Sequence, residues 1–244
     1  MGRAVGKATP GGKGAANEAP RGGAAEWFRS LLVAAVIFIL LRTFLIQTFV
    51  ITSGSMEESL LVGDFLVVNR AAIGSRIPLT GLRIPGYSEP RRFDVIVFDP
   101  PHEPDLKLVK RLIGMPGDTV EMRRRELFIN GEAVEEPYVK HVDIGNETHP
   151  WMSWQSGHLA PGTDPATYRP TRDDWGPLVI PEDRYFMLGD NREESLDSRY
   201  WGLLEGWRLE GRAVFIYFSY NKESYRPFSF LREIRWGRIG EPIR

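Results

Sequence analysis

The stretch Arg42-Thr43-Phe44-Leu45-Ile46-Gln47-Thr48-Phe49-Val50-Ile51-Thr52-Ser53-Gly54-Ser55-Met56 joins membrane-like sequence to two hydroxyls around a glycine. Upstream, residues 27–46 are apolar apart from Arg29, Ser30, Arg42 and Thr43. About 20 residues at helical rise cross a bilayer core, so this run predicts a single transmembrane anchor, assigned to residues 26–48. Arg3, Lys7, Lys13, Arg21 and Arg29 precede the run or open it, which favours a cytoplasmic N-terminus, and Trp27 suits an interface. Arg42 falls about 22 Å along the helix from Trp27, where its long side chain can snorkel to headgroups. No small-x-small cleavage site ends the run, which argues against a removed signal peptide. Ser55 then lies at most about 45 Å beyond Arg42. A nucleophile there would be held near the membrane surface, and its substrate with it.

Bulk composition narrows the classes. The chain has 244 residues, enough for one large domain or two small ones, and a formal net charge of -1 that offers no global field for nucleic acid. Cysteine is absent, which removes disulfides, thiolate nucleophiles and Cys-based zinc sites. Only His102, His141, His149 and His158 are present, so raw material for a histidine triad or metal cluster is scarce.

Residues 1–25 are rich in Gly and Ala without hydrophobic periodicity, the signature of a disordered tail. After residue 49 the strand signals accumulate at residues 65–68, 93–98, 106–113, 119–122, 184–188 and 212–220. Residues 126–134 read as a hairpin turning at Asn130-Gly131, because both residues tolerate positive φ. No long amphipathic helix follows the anchor. The expected fold is mainly β: a core of residues 49–122 and 184–244, with 123–183 as an inserted loop and β lobe. Between residues 140 and 181 periodicity is lost. Trp151, Trp154 and Trp175 of this lobe either pack a loop onto its own domain or dip into lipid headgroups.

A serine at position 55 needs a base before it can attack. Ser-Gly-Ser also occurs in linkers, so the motif decides nothing without a partner. With period 2, Lys110 shares a strand face with Leu106, Leu108 and Leu112, while Lys107, Val109, Arg111 and Ile113 take the other face. Desolvation can lower such an ammonium towards neutral pH. A lysine on an apolar face either snorkels out at an edge or is kept for that lowered pKa, and the pattern leaves both open. Directly after the strand 184–188 comes a dense polar cluster: Gly189-Asp190-Asn191-Arg192, then Ser195, Asp197, Ser198 and Arg199. A surface loop would look similar.

Three motifs in this order behind one anchor resemble the bacterial type I signal peptidases: Ser53-Gly54-Ser55-Met56; Lys110-Arg111 with Gly114-Met115-Pro116-Gly117-Asp118; and the cluster from Gly189 to Arg199. The resemblance implies a largely β catalytic domain with a variable insertion. It implies Ser55 as nucleophile and Lys110 as general base, forming a Ser/Lys dyad. Ser53 would donate to the oxyanion with the Ser55 N–H, Ser195 would orient the Lys110 amine, Asp197 would organise the network with Arg199, and Asp190 would pair with Arg111. Met56, Leu60, Leu108 and Val109 would line a pocket for small residues. The implied partners are preprotein signal peptides, the lipid bilayer and the secretion translocon, with no cofactor and no metal. The implied location is the bacterial inner membrane, single-pass, with the catalytic domain extracytoplasmic. The family usually has proline two residues after the methionine, where this chain has Glu58. Thr52 stands where a proline often precedes the motif, and Leu108 takes a position that is aromatic in some members.

Two rivals remain beside this reading. A non-catalytic membrane-anchored β-domain that binds an extracytoplasmic partner would leave Ser55 unreactive. Ser219-Tyr220-Asn221-Lys222 fits the Ser-x-x-Lys pattern of penicillin-binding enzymes, but it follows a strand-like run and lacks the companion motifs.

Overall fold

The computed structural model describes residues 2, 23–76, 82–103 and 106–244. The tail expected over residues 1–25 lies almost wholly outside them. Two compact units are present, residues 1–39 and 40–244. The apolar run forms α1 (Ala24–Phe44), among the described residues the one helix long and apolar enough to cross a membrane. Its 21 residues extend about 31 Å at helical rise.

The elements that follow are β1 (Ile46–Val50), β2 (Asp64–Asn69), α2 (Arg70–Ile73), β3 (Gly74–Arg76), β4 (Arg83–Pro85), β5 (Val95–Phe98) and β6 (Leu108–Gly114). Then come β7 (Thr119–Arg123), β8 (Glu126–Ile129), β9 (Glu132–Ala133), β10 (Trp175–Val179), β11 (Arg184–Leu188), α3 (Ser198–Trp201), β12 (Leu204–Glu205), β13 (Leu209–Ser219) and α4 (Ser229–Arg232). The fold after α1 is mainly β. Its principal sheet has seven strands in the order β1-β2-β13-β5-β6-β11-β12, every neighbouring pair antiparallel. A second sheet runs β10-β7-β8-β9, and β3 pairs with β4.

Residues 46–48, given to the anchor from sequence, belong instead to β1, which pairs with β2 from Ile46↔Asn69 to Val50↔Phe65. Composition could not mark this boundary, since helix and strand are both apolar there and only the partner strand decides it.

All four residues of β5 are buried because the principal sheet is covered on both faces. Val95 and Val97 face a cluster with Ile51, Met56, Leu60, Leu66 and Val68. Ile96 and Phe98 face another with Leu112, Met187 and Leu204. The second sheet crosses the expected boundary at residue 123: β7 joins β8, β9 and β10, and its core contains Val120, Met122, Leu127, Met152, Trp175 and Phe186. Asn130 (φ 54°) and Gly131 (φ 84°) make the expected hairpin turn. β10 was not visible in the sequence because its register is broken between Trp175 and Leu178, where Gly176-Pro177 interrupts any alternation. Trp175 is buried against Phe186, ring centroids 5.0 Å apart, and Trp154 donates its Nε1 proton to the Arg199 carbonyl at 3.1 Å. Of the three tryptophans only Trp151 is exposed.

Candidate active site

The segment that carries Ser55 is a loop tied at its base. Ile51 N–H donates to the Asp64 carbonyl (2.8 Å), and Gly63 N–H to the Ile51 carbonyl (3.0 Å). Inside it, Gly54–Met56 forms one tight helical turn. A second turn follows over Met56–Ser59, closed by Ser59 N–H to the Met56 carbonyl at 3.1 Å. Glu57 has φ −60° and ψ 138°, and Glu58 has φ 100°. These angles make a type II turn with Glu58 at the position that demands positive φ. Proline is locked near −65°, so the family's usual residue would not fit this backbone at position 58. Met56 and Leu60 are buried and pin the loop to the core, leaving Ser55 facing β6.

Lys110 lies where β6 loses one neighbour. On one side Ile96, Val97 and Phe98 of β5 oppose Lys110, Val109 and Leu108. On the other, β11 pairs with β6 from Arg111 onward and ends at Leu188. The Lys110 side chain enters that gap, only 2% exposed, and its Nζ hydrogen-bonds Ser55 Oγ. Burial lowers its pKa from 10.5 to about 8, against the opposing pull of the Asp197 carboxylate. Of the two open readings, retention in a dry site is the one realised.

The loop after β11 closes the gap. Asn191 N–H donates to the Ser55 carbonyl at 3.2 Å, and Asn191 Nδ2 to the Gly54 carbonyl at 3.3 Å. Gly189 is packed so tightly that a Cβ there would lie 2.2 Å from Ser195 Oγ and 2.5 Å from the Ser55 carbonyl oxygen. Asp197 caps α3, accepts from Gly189 N–H (3.1 Å), and forms a bidentate pair with Arg199 at 2.8 Å on both arms. Burial pushes the Asp197 carboxyl up, but the Arg199 charge and hydrogen bonds, with help from the Gly189 N–H, hold it below the usual carboxylate value.

Asp190 takes both arms of Arg111, at 2.8 and 2.7 Å. Arg111 is fully buried, so its charge is met by this carboxylate and not by water. Its remaining donors go to the Phe93 carbonyl, the Arg244 carbonyl and Ser59 Oγ. Lys107, on the same face, pairs with Asp99 and Glu210.

Three expectations need correction or sharpening. Ser195 makes no hydrogen bond to Lys110, because the amine is turned to Ser55; its buried Oγ has no partner at hydrogen-bond distance. Leu60 does not line the cavity beside Ser55 but lies fully buried in the cluster behind it. Met56, Leu108 and Val109 do line that cavity, of about 160 Å³, together with Val50, Ile51, Thr52, Ser53, Leu106 and Lys107. The wall of residues 50–52 was missed, although the apolar residues leading into the Ser-Gly-Ser motif were its signal. Ser53 is exposed, its Oγ 3.4 Å from Ser55 Oγ.

The rival sites are engaged elsewhere. His141 contacts Glu193, His149 packs on Trp151 and Tyr200, His158 lies by Trp154 and His102 by Trp201. Ser219 Oγ donates to the buried Asp64 carboxylate at 2.6 Å, a structural role far from that of a nucleophile.

Comparison with known proteins places the chain in a family. Residues 24–218 match the family described as "Signal peptidase, peptidase S26". Signal peptidase I of Pseudomonas aeruginosa is 36% identical over 210 residues, covering 80% of this chain and 72% of that protein. Signal peptidase I of Bacillus licheniformis is 33% identical over 198 residues, covering 81% and 90%. A crystal structure of a signal peptidase I from Enterococcus faecalis V583 is 34% identical, covers 51% of this chain and 97% of its own, and has a TM-score of 0.35. With the match extending from the first turn of α1 almost to the end of β13, this chain belongs to the signal peptidase family, peptidase S26.

Proposed function

We propose that the chain is a membrane-anchored serine endopeptidase that removes signal peptides from exported preproteins, with Ser55 as nucleophile and Lys110 as general base. The observation that carries this reading is the Lys110 amine, dry, lowered to about 8 and bonded to Ser55 Oγ. Neutral Lys110 takes the Ser55 proton as Oγ attacks the scissile carbonyl. The oxyanion is held by the Ser55 N–H and the Ser53 hydroxyl, a donor of a kind typically worth about 3 kcal/mol. Protonated Lys110 then delivers its proton to the leaving amine, and a water activated by the same amine resolves the acyl-enzyme. The unpartnered Ser195 hydroxyl orients Lys110 once Ser55 is acylated, and Asp197 with Arg199 keeps the loop in register.

Substrate enters as extended chain. At residues 108–110 the edge of β6 away from β5 has no strand partner among the described residues, and residues 50–53 form the opposite wall. A peptide laid between them presents a small side chain to the cavity over Met56 and Val109, with its scissile carbonyl at Ser55. The helix α1 anchors the chain in a bacterial cytoplasmic membrane. The N-terminal basic residues favour the cytoplasm for that end, which leaves residues 46–244 outside to meet preproteins beside the translocon. A binding-only reading gives a buried amine on a serine hydroxyl no task.

The test is cleavage of a preprotein by the purified chain in detergent. Ser55→Ala and Lys110→Ala should each reduce cleavage to background; substantial turnover by either variant would refute the assignment.

A further inference from the structure

The segment Arg235–Arg244 lies beyond the residues matched by the family, 24–218, yet it reaches the machinery from behind. It returns along β13: Gly240 N–H donates to the Ile216 carbonyl (2.7 Å), Ile216 N–H to the Glu241 carbonyl (3.0 Å) and Ile243 N–H to the Val214 carbonyl (2.9 Å). From that track it holds the Ser55 loop at three places. Arg238 Nη2 donates to the Ser59 carbonyl (2.8 Å) and to Asp64 Oδ2 (2.7 Å). Asp64 is fully buried at the loop's closing end and also accepts from Leu61 N–H at 2.8 Å. Arg235 Nη1 donates to the Val62 carbonyl at 2.9 Å. Ile243 packs against the apolar cluster that includes Met56, Leu60 and Val109. The segment ends on the other half of the dyad, where the Arg244 carbonyl accepts from Arg111 Nη1 (2.8 Å), the residue next to Lys110.

We propose that Arg235–Arg244 is a clasp that sets the distance between the Ser55 loop and the Lys110 strand, with Arg238 as its principal positioning residue. The argument is geometric. Among the described residues the loop and β6 are hydrogen-bonded only side chain to side chain, at Ser55 and Lys110 and at Ser59 and Arg111, with non-directional packing of Val109 by Met56 and Leu60 beside them. The clasp is bonded to both, so it fixes what those contacts alone leave adjustable. Arg238 matters most because it joins a loop carbonyl to the buried Asp64 with one rigid fork, which a point charge cannot do. This rests on the proposed function only for its activity readout.

The experiment compares full-length wild type, Arg238→Lys, Arg238→Ala and a chain ending at Glu241, each well below its own melting temperature. Steady-state preprotein cleavage and NMR titration of the Lys110 amine are measured together. Expected is a fall in kcat of at least tenfold for Arg238→Ala with KM within about threefold. Arg238→Lys and the shortened chain should lie between it and wild type. The amine's pKa should move up from about 8 towards 10.5 as water enters the loosened site. If Arg238→Ala does not fold, the other two variants carry the same comparison. Unchanged kcat and unchanged titration, with only a lower melting temperature, would overturn the clasp. A wild type that cleaves no preprotein but whose Lys110 titration still shifts in the variants would sink the proposed function and leave the clasp standing.

Discussion

Lys110 is held in a form the fold does not favour at neutral pH. Its folded pKa of about 8 lies below the ordinary 10.5, so the unfolded chain binds more protons between those values. Stability therefore rises with pH through that window, and below about pH 8 the full cost is present. Lys110→Met removes the charge at similar volume and should stabilise the fold at pH 7 by about 3 kcal/mol, following the shift of the amine. Denaturant unfolding measures this, and no gain would mean that the amine is solvated. At Gly189 the limit is space. Gly189→Ala would drive a Cβ into Ser195 Oγ and the Ser55 carbonyl, so kcat/KM should fall at least tenfold with the chain still folded by circular dichroism. Retained activity would show that the loop yields. The meeting of Ser55 and Lys110 was legible in the sequence, from a motif, a strand face and the family resemblance. Of the partners of Arg111, Asp190 was expected, but two others were not: the Ser59 hydroxyl and the Arg244 carbonyl reach it from 52 and 133 residues away.

At the level of elements, the turn over Met56–Ser59 gives Glu58 a meaning it lacked in the sequence. Its φ of 100° suits glycine, so Glu58→Gly should raise stability by about 1 kcal/mol, while Glu58→Pro should lower it by about 3 kcal/mol or more. Thermal unfolding of the two variants checks both signs, and a stabilising proline would mean a different turn. Most strands after the anchor could be read from short β-branched and aromatic runs bounded by Gly and Pro. β10 could not, because Gly176-Pro177 breaks its alternation and only pairing with β7 defines it. β1 was hidden for the opposite reason, being continuous in apolarity with α1.

For the whole molecule, three segments from distant parts of the chain build one site: the turn after β1, the end of β6 that is paired on the β5 side alone, and the loop after β11. Order and spacing of motifs announced that convergence, whereas the cavity walls at residues 50–52 and the segment Arg235–Arg244 arise only from tertiary contacts. If serine and lysine supply all the chemistry, a chelator such as EDTA should leave the cleavage rate unchanged; a loss restored by added metal would require another mechanism. The central claim, that a dry neutral Lys110 activates Ser55, is tested most directly by the pH dependence of preprotein kcat/KM for wild type beside Lys110→Ala. The account predicts that the wild-type rate rises about tenfold per pH unit below a midpoint near 8, then levels off, with Lys110→Ala at background throughout. A wild-type profile flat from about pH 6 to 9, or a Lys110→Ala chain that keeps cleaving, would contradict it.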